Sequence, residues 1–166
     1  MTHPKPNALP WLLLSVVVIA LDQLSKWWAL TGLQPGVPHP VIPGFLNWTL
    51  TFNPGAAFSF LAMSGGWQRW FFVVLAIVIS AVLVVWLART ARRDWRTALP
   101  LALIIGGALG NLIDRLHAAQ VTDFIDVYYR NWHYPVFNIA DCGVTVGAVI
   151  LVVFGLFGGT EKGGVR

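Results

Sequence analysis

Four stretches of this chain are almost purely apolar, at about 11–30, 67–88, 98–117 and 138–158. Each is close to the ~20 residues a helix needs to cross the hydrocarbon core of a bilayer. The segments between them differ in kind. Residues 31–66 and 118–137 carry Pro, Gly, Asn, Asp and aromatic residues, whereas 89–96 reads Arg-Thr-Ala-Arg-Arg-Asp-Trp-Arg. Arginines flanking a span mark its cytoplasmic side. The pattern therefore predicts one membrane domain over residues 1–166, with four transmembrane helices and both termini on the arginine side. Segments 31–66 and 118–137 then face outward. Lys5 followed by an apolar run, with Val18-Ile19-Ala20 as a weak cleavage site, is also the outline of a secretory signal peptide. Polar residues just beyond that site favour retention of the first span.

The rare polar residues inside the pattern are spaced for structure. Asp22 and Lys26 stand four apart in the outer half of the first span, which puts them on one helix face as an ion pair. Residues 47–53 alternate, with Trp48, Leu50 and Phe52 on one side and Asn47, Thr49, Thr51 and Asn53 on the other. That period predicts a strand whose polar row faces the site. Pro54-Gly55 turns the chain, and Ser59 beyond it reads as a locally bonded hydroxyl. Trp67, Arg69 and Trp70 read as interface anchors for the second span, an apolar wall. The third span is expected to begin near Pro100, in a first turn. Ala102, Gly106 and Gly110 give it a small-residue face that lets another helix approach closely. At its outer end Asp114 reads as structural, with Asn111 and Arg115 free to hold a substrate backbone. Tyr128, Tyr129, Trp132 and Tyr134 read as an interfacial belt. Asn138 and Asp141 form a capping-box pattern at the start of the fourth span.

Composition narrows the function. The chain is 57% hydrophobic and 11% charged, against about 25% charged for soluble domains. A net charge of +4, spread over membrane-flanking positions, gives no reason to expect nucleic acid. His3, His39, His117 and His133 are scattered and form no His-Glu-x-x-His, and with Cys142 alone there is no metal-ligand spacing and no internal disulfide. No metal or cofactor is expected.

Four of the seven acidic residues fall between Gly106 and Asp141. Carboxylates at a bilayer edge are costly and mark functional sites by default. The directions of the spans bring Asn53, Asn111, Asp114, Arg115, Asp123, Asn138 and Asp141 to one outer boundary, with Asp22 and Lys26 beneath. A transporter needs polar or broken helix at the midplane instead. Asp123 and Asp141 are the candidate catalytic pair, in the manner of two carboxylates about 3 Å apart that share one proton and activate water. Asp126 is a rival partner, one turn from Asp123 if 121–126 is helical, with a structural role the stronger reading. Cys142, without a nearby base, reads as a packed thiol. With Asp141 in a first helical turn, the helix dipole favours its ionised form and leaves the shared proton on Asp123. The competing classes are a non-catalytic four-span lipid-binding or transport protein and a serine peptidase using Ser59 and His117.

Five blocks resemble one family: Asp22-Gln-x-x-Lys26, Asn53-x-Gly-Ala-Ala-Phe-Ser59, Gly106-Gly-Ala-x-Gly-Asn-x-x-Asp-Arg115, Val121-x-Asp-Phe124 and Phe137-Asn-x-Ala-Asp141. In this order, over nearly the whole chain, they are similar to lipoprotein signal peptidase (signal peptidase II). The resemblance implies an all-α membrane protein with four transmembrane helices, a small extracytoplasmic β-cradle and a periplasmic loop or helix. It implies an aspartyl endopeptidase of the bacterial inner membrane that removes the signal peptide of prolipoproteins before a diacylglyceryl-modified cysteine. By this match Asp123 and Asp141 are the dyad, Asn53, Asn111, Arg115 and Asn138 line the substrate, and Asp22 with Lys26 is a structural pair. The partners implied are lipid-modified prolipoproteins, membrane lipids and globomycin-type inhibitors, bound by a monomer. Cys142 stands where Ser or Thr is common, and Thr122 where Val is frequent.

Overall fold

A computed structural model describes residues 6–55 and 66–157. Among them, four helices are long and apolar enough to cross a membrane. They are α1 (Leu12–Gly32, entered by a 3-10 turn at Leu9–Trp11), α2 (Trp67–Arg89), α3 (Trp95–Ala118) and α4 (Ile139–Phe157). α3 is the central one: 61% of its most apolar window is buried, against 17–22% for the others. The small residues explain the difference. A Cβ at Gly106 would sit 2.8 Å from the Val18 Cβ and 2.9 Å from the Ser15 carbonyl oxygen of α1. Gly107 is pressed in the same way against the Ala140 carbonyl of α4. Ser15 Oγ donates to the Ala102 carbonyl at 2.7 Å, closing the α1–α3 seam. Backbones this close gain dispersion contacts that lipid tails do not supply.

α3 begins earlier than its sequence suggests. Asp94 caps it, accepting from Thr97 N at 3.3 Å, so Pro100 falls in the second turn and removes one bond from the ladder. A side-chain cap outweighs the proline as the start signal. α1 runs unbroken through Val18-Ile19-Ala20. Ahead of it, Ala8 N bonds Thr90 O and Arg92 N bonds Pro6 O, both at 3.0 Å, which pins the segment before α1 to the α2–α3 loop.

At the other end of the helices lies a four-stranded antiparallel sheet in the order β1 (His39–Ile42), β2 (Leu46–Asn53), β3 (Val121–Tyr129), β4 (Trp132–His133). Trp28 of α1, Trp48 of β2 and Phe124 of β3 pack edge-to-face or tilted at 5.7–6.1 Å and seat the sheet on α1. One condition fails here and one expectation is corrected. Residues 121–126 are strand, not helix, so Asp123 and Asp126, three apart, point to opposite faces. The alternation over 47–53 is broken by an irregularity between Trp48 and Thr51 that buries Thr49 and Leu50 together. The polar row is thereby split, and only its far end reaches the site. Among the described residues, 33–55 and 119–138 hold strands and turns and no helix. Ser59 and the rest of 56–65 lie outside the described residues.

Candidate functional site

The separation of eighteen positions from Asp123 to Asp141 is closed by β-pairing. After the β3–β4 hairpin the chain returns along β3. Phe137 N bonds Ile125 O at 3.1 Å, and Phe137 O accepts from Phe124 N at 3.1 Å and Ile125 N at 2.8 Å. The next residue, Asn138, is thus set beside β3 and starts α4. Its side chain caps that helix, with Asp141 N donating to Asn138 Oδ1 at 2.9 Å and Asn138 N donating to Asp141 Oδ2 at 3.3 Å. Its Nδ2 donates to Asp123 Oδ1 at 2.7 Å. One fully buried asparagine therefore holds both carboxylates.

α3 supplies the next contacts. Asn111 Nδ2 donates to Asp141 Oδ1 at 2.7 Å, and Asn111 Oδ1 accepts from Asn138 Nδ2 at 3.1 Å and Lys26 Nζ at 3.0 Å. Lys26 also pairs with Asp22 at 2.7 Å and Asp114 at 2.9 Å. Asp114 thus pairs with Lys26, and no ion pair joins it to Arg115. Asp22 Oδ1 accepts from Ala140 N at 2.9 Å, one residue before Asp141. Arg115 Nη1 donates to Asn111 O at 3.2 Å, and the guanidinium lies 5.1 Å from the Phe72 ring centroid. Its buried Nε has no partner among the described residues, and the guanidinium lies in the field of Asp141, Asp114 and Asp123. Asn53 Oδ1 accepts from Gly55 N at 2.9 Å, and its side chain acts to lower the Asp123 carboxyl.

Asp123 is 2% exposed, while Asp141 is only partly covered. Asp141 opens onto a recess of about 250 Å³ lined by Tyr134, Phe137, Cys142, Thr145 and Val146. Burial, and then the charge of Asp141, push the Asp123 carboxyl up to about 7, against the amides of Asn138 and Asn53 and the charge of Lys26. A carboxyl that holds its proton near neutral pH suits acid–base work on water. The same shift bears on stability. Between about pH 4 and 7 an unfolded chain has released this proton while the native one keeps it, so rising pH costs stability, and the cost is complete above 7. Asp123→Asn is expected to be more stable than the parent at pH 8, on the order of a few kcal/mol, and equal to it near pH 3. Thermal unfolding in detergent at the two pH values measures the difference; equal curves at pH 8 count against it.

Asp126 lies outside this cluster. Its Oδ2 accepts from Asn47 Nδ2 at 3.1 Å and Thr49 Oγ1 at 2.9 Å, and Oδ1 meets His133 Nδ1 at 2.7 Å. Burial works to raise this carboxyl, and bonds from His133, Asn47 and Thr49 outweigh it and hold it low. It ties β2 to the β3–β4 hairpin. Gln23 stands in the first of the five blocks with no role attached, and its Nε2 reaches Asp114 Oδ1 at 2.9 Å and Gly110 O at 3.2 Å. Its place beside Asp22 in a greasy helix was the available signal. Thr122 contributes through its backbone, N to Asp114 Oδ2 at 3.0 Å and O to Asn138 Nδ2 at 3.3 Å, which any side chain there leaves intact. Cys142 is a free, half-buried thiol in the recess wall. His117 Nδ1 faces the Ile113 carbonyl of its own helix at 2.9 Å.

Comparison with known proteins places the chain in a family. The chain is 58% identical over 160 residues to the lipoprotein signal peptidase of Xanthomonas campestris pv. campestris (strain 8004), covering 96% of each chain. It is 54% identical over 158 residues to that of Xylella fastidiosa (strain M12), covering 95% of each. A solved bacterial membrane enzyme, determined in meso at 2.3 Å, superposes with a TM-score of 0.80 at 34% identity, over 100% of this chain and 98% of that one. The family described as Signal peptidase (SPase) II matches residues 14–157. This multi-pass membrane protein belongs to the signal peptidase II family.

Proposed function

We propose that the chain is an aspartyl endopeptidase that removes the signal peptide from diacylglyceryl-modified prolipoproteins, cutting before the lipidated cysteine. The observation that carries the reading is Asn138, which bonds Asp123 and Asp141 at once. A water held between the two carboxyls loses a proton to Asp141 as its oxygen attacks the scissile carbonyl. Asp123 gives its proton to the developing oxyanion. Collapse of the tetrahedral intermediate breaks the C–N bond: the proton on Asp141 passes to the leaving amine, and a hydroxyl proton of the intermediate returns to Asp123, which leaves a carboxylic acid and the starting dyad. Asn53 and Arg115 hold the substrate backbone, the guanidinium of Arg115 offering a buried N–H, while Asn111 and Asn138, whose amides are already bonded within the cluster, position the two carboxyls. Acyl chains enter laterally between spans. Residues 1–166 act as one membrane domain, a monomer in the bacterial inner membrane with both termini cytoplasmic and the site on the periplasmic side. Globomycin-type peptides occupy the same cleft. The named relatives are peptidases, so the lipid-binding or transport alternative finds no support.

Cleavage of a lipid-modified precursor by the Asp123→Asn and Asp141→Asn variants tests the reading. The pH profile is a second check. Activity needs the proton on Asp123, so kcat/KM is expected to fall about tenfold per pH unit above roughly 7. A flat profile from pH 6 to 9 contradicts that assignment.

A further inference from the structure

We propose that Lys26 is a positioning residue for this reaction, acting through the Asn111 amide to keep Asp141 in the role of base. The inference rests on the aspartyl reading above and adds a part the dyad alone lacks. An ammonium group has donors only. The Asn111 atom it faces at 3.0 Å is therefore the carbonyl oxygen, and Asn138 Nδ2 donates to the same atom. The other end of the amide is then an NH2 group, and it is aimed at Asp141 Oδ1 at 2.7 Å. A cation, a neutral amide and a carboxylate stand in line, joined by two hydrogen bonds. Such chains polarise cooperatively, so the charge on Lys26 strengthens the bond that Asn111 gives to Asp141. Lys26 and Asn111 are 2% and 9% exposed, so water does little to screen the effect.

The surrounding charges single out this route. Facing the dyad are Asp22 and Lys26 from α1, Asp114 and Arg115 from α3, the dyad members themselves on β3 and α4, and, in the recess beside Asp141, the Cys142 thiol and the Tyr134 hydroxyl. Asp22 and Asp114 take the other two donors of Lys26 and offset its field at a distance. The bonded path through Asn111 is what reaches Asp141. Lys26 also lowers the Asp123 carboxyl, but through space: the donor that bonds Asp123, Asn138 Nδ2, does not bond Lys26. The plainer account makes Lys26 only the counter-ion of two buried acids. That account predicts a change in stability and none in the pH profile.

The test is Lys26→Gln combined with Asp114→Asn, in the full chain. Glutamine keeps a donor toward Asn111, and the pair of changes leaves the formal charge of the cluster as it was. The acidic limb of the kcat/KM profile is expected to move up by about one pH unit, with kcat down about tenfold and KM within twofold. A folded, active variant with an unmoved limb overturns the inference. If the variant does not fold, infrared spectra of the parent at pH 6 decide. The protonated carboxyl band is expected to vanish in Asp123→Asn, and its loss in Asp141→Asn instead overturns the inference. The dyad reading fails separately, if the two Asn variants cleave at the parent rate.

Discussion

Asp123→Asn and Asp141→Asn are each expected to lower cleavage of a lipid-modified precursor by about 10⁴-fold, the scale seen when one member of a catalytic unit is removed. The two substitutions differ in how gently they do so. At 123 an asparagine keeps an oxygen for the Asn138 amide, now 2.7 Å away, so the fold is untouched and only the proton donor is lost. At 141 both carboxylate oxygens accept, one from Asn111 Nδ2 and one from Asn138 N. An asparagine offers one acceptor and sets its own NH2 against the second donor. That mismatch costs about 1–3 kcal/mol and is expected to lower the thermal midpoint of Asp141→Asn but not of Asp123→Asn. Activity lost equally with stability changed unequally is the signature of chemistry, because a structural pair would lose the two together. Turnover near the parent rate in either folded variant would remove that carboxyl from the dyad.

The spans were legible because bilayer thickness imposes a length, and apolar runs of that length are rare by chance. The convergence of polar residues followed from counting directions through those spans. What the sequence hid was pairing. Nothing in Phe137 announces that its backbone bonds β3, yet that pairing is what brings Asn138 to Asp123. The split of the polar row in β2 was hidden for the same reason, since the irregularity between Trp48 and Thr51 depends on register against a distant strand. Asp126 was legible as an acid near the site but not as the partner of Asn47, Thr49 and His133. Its face depends on whether three residues span a helical turn or a pleat. The i,i+4 spacing points Lys26 to Asp22. The bonds of Lys26 to Asn111 and Asp114 needed the α1–α3 crossing that Gly106 and Gly110 permit.

Gly107→Ala is expected to abolish cleavage by at least about 100-fold and to destabilise the protein by about 1–3 kcal/mol or more, although residue 107 bears no chemistry. An added Cβ would overlap the Ala140 carbonyl oxygen and lie 2.8 Å from Val144 Cγ2 and 3.1 Å from Val144 N. Ala140 O and Val144 N are four residues apart in α4, the two ends of one rung of its ladder. No side chain can swing aside to make room, so α4 itself must move. Its first turn carries Asn138, Asp141 and the Ala140 N–H that Asp22 accepts at 2.9 Å, so all three leave their partners together. A shift of about 1 Å in reacting groups is enough to cost two orders of magnitude. Gly155→Ala in the same helix is the control. A Cβ there meets nothing within 4 Å, and alanine is the better helix former by about 0.8–1.0 kcal/mol, so that variant is expected to match or exceed the parent in stability. Thermal unfolding and precursor cleavage of the two variants side by side separate close approach from glycine loss in general. If Gly107→Ala behaves like Gly155→Ala, the α3–α4 contact is looser than its geometry requires, and the placement of Asp141 does not depend on it.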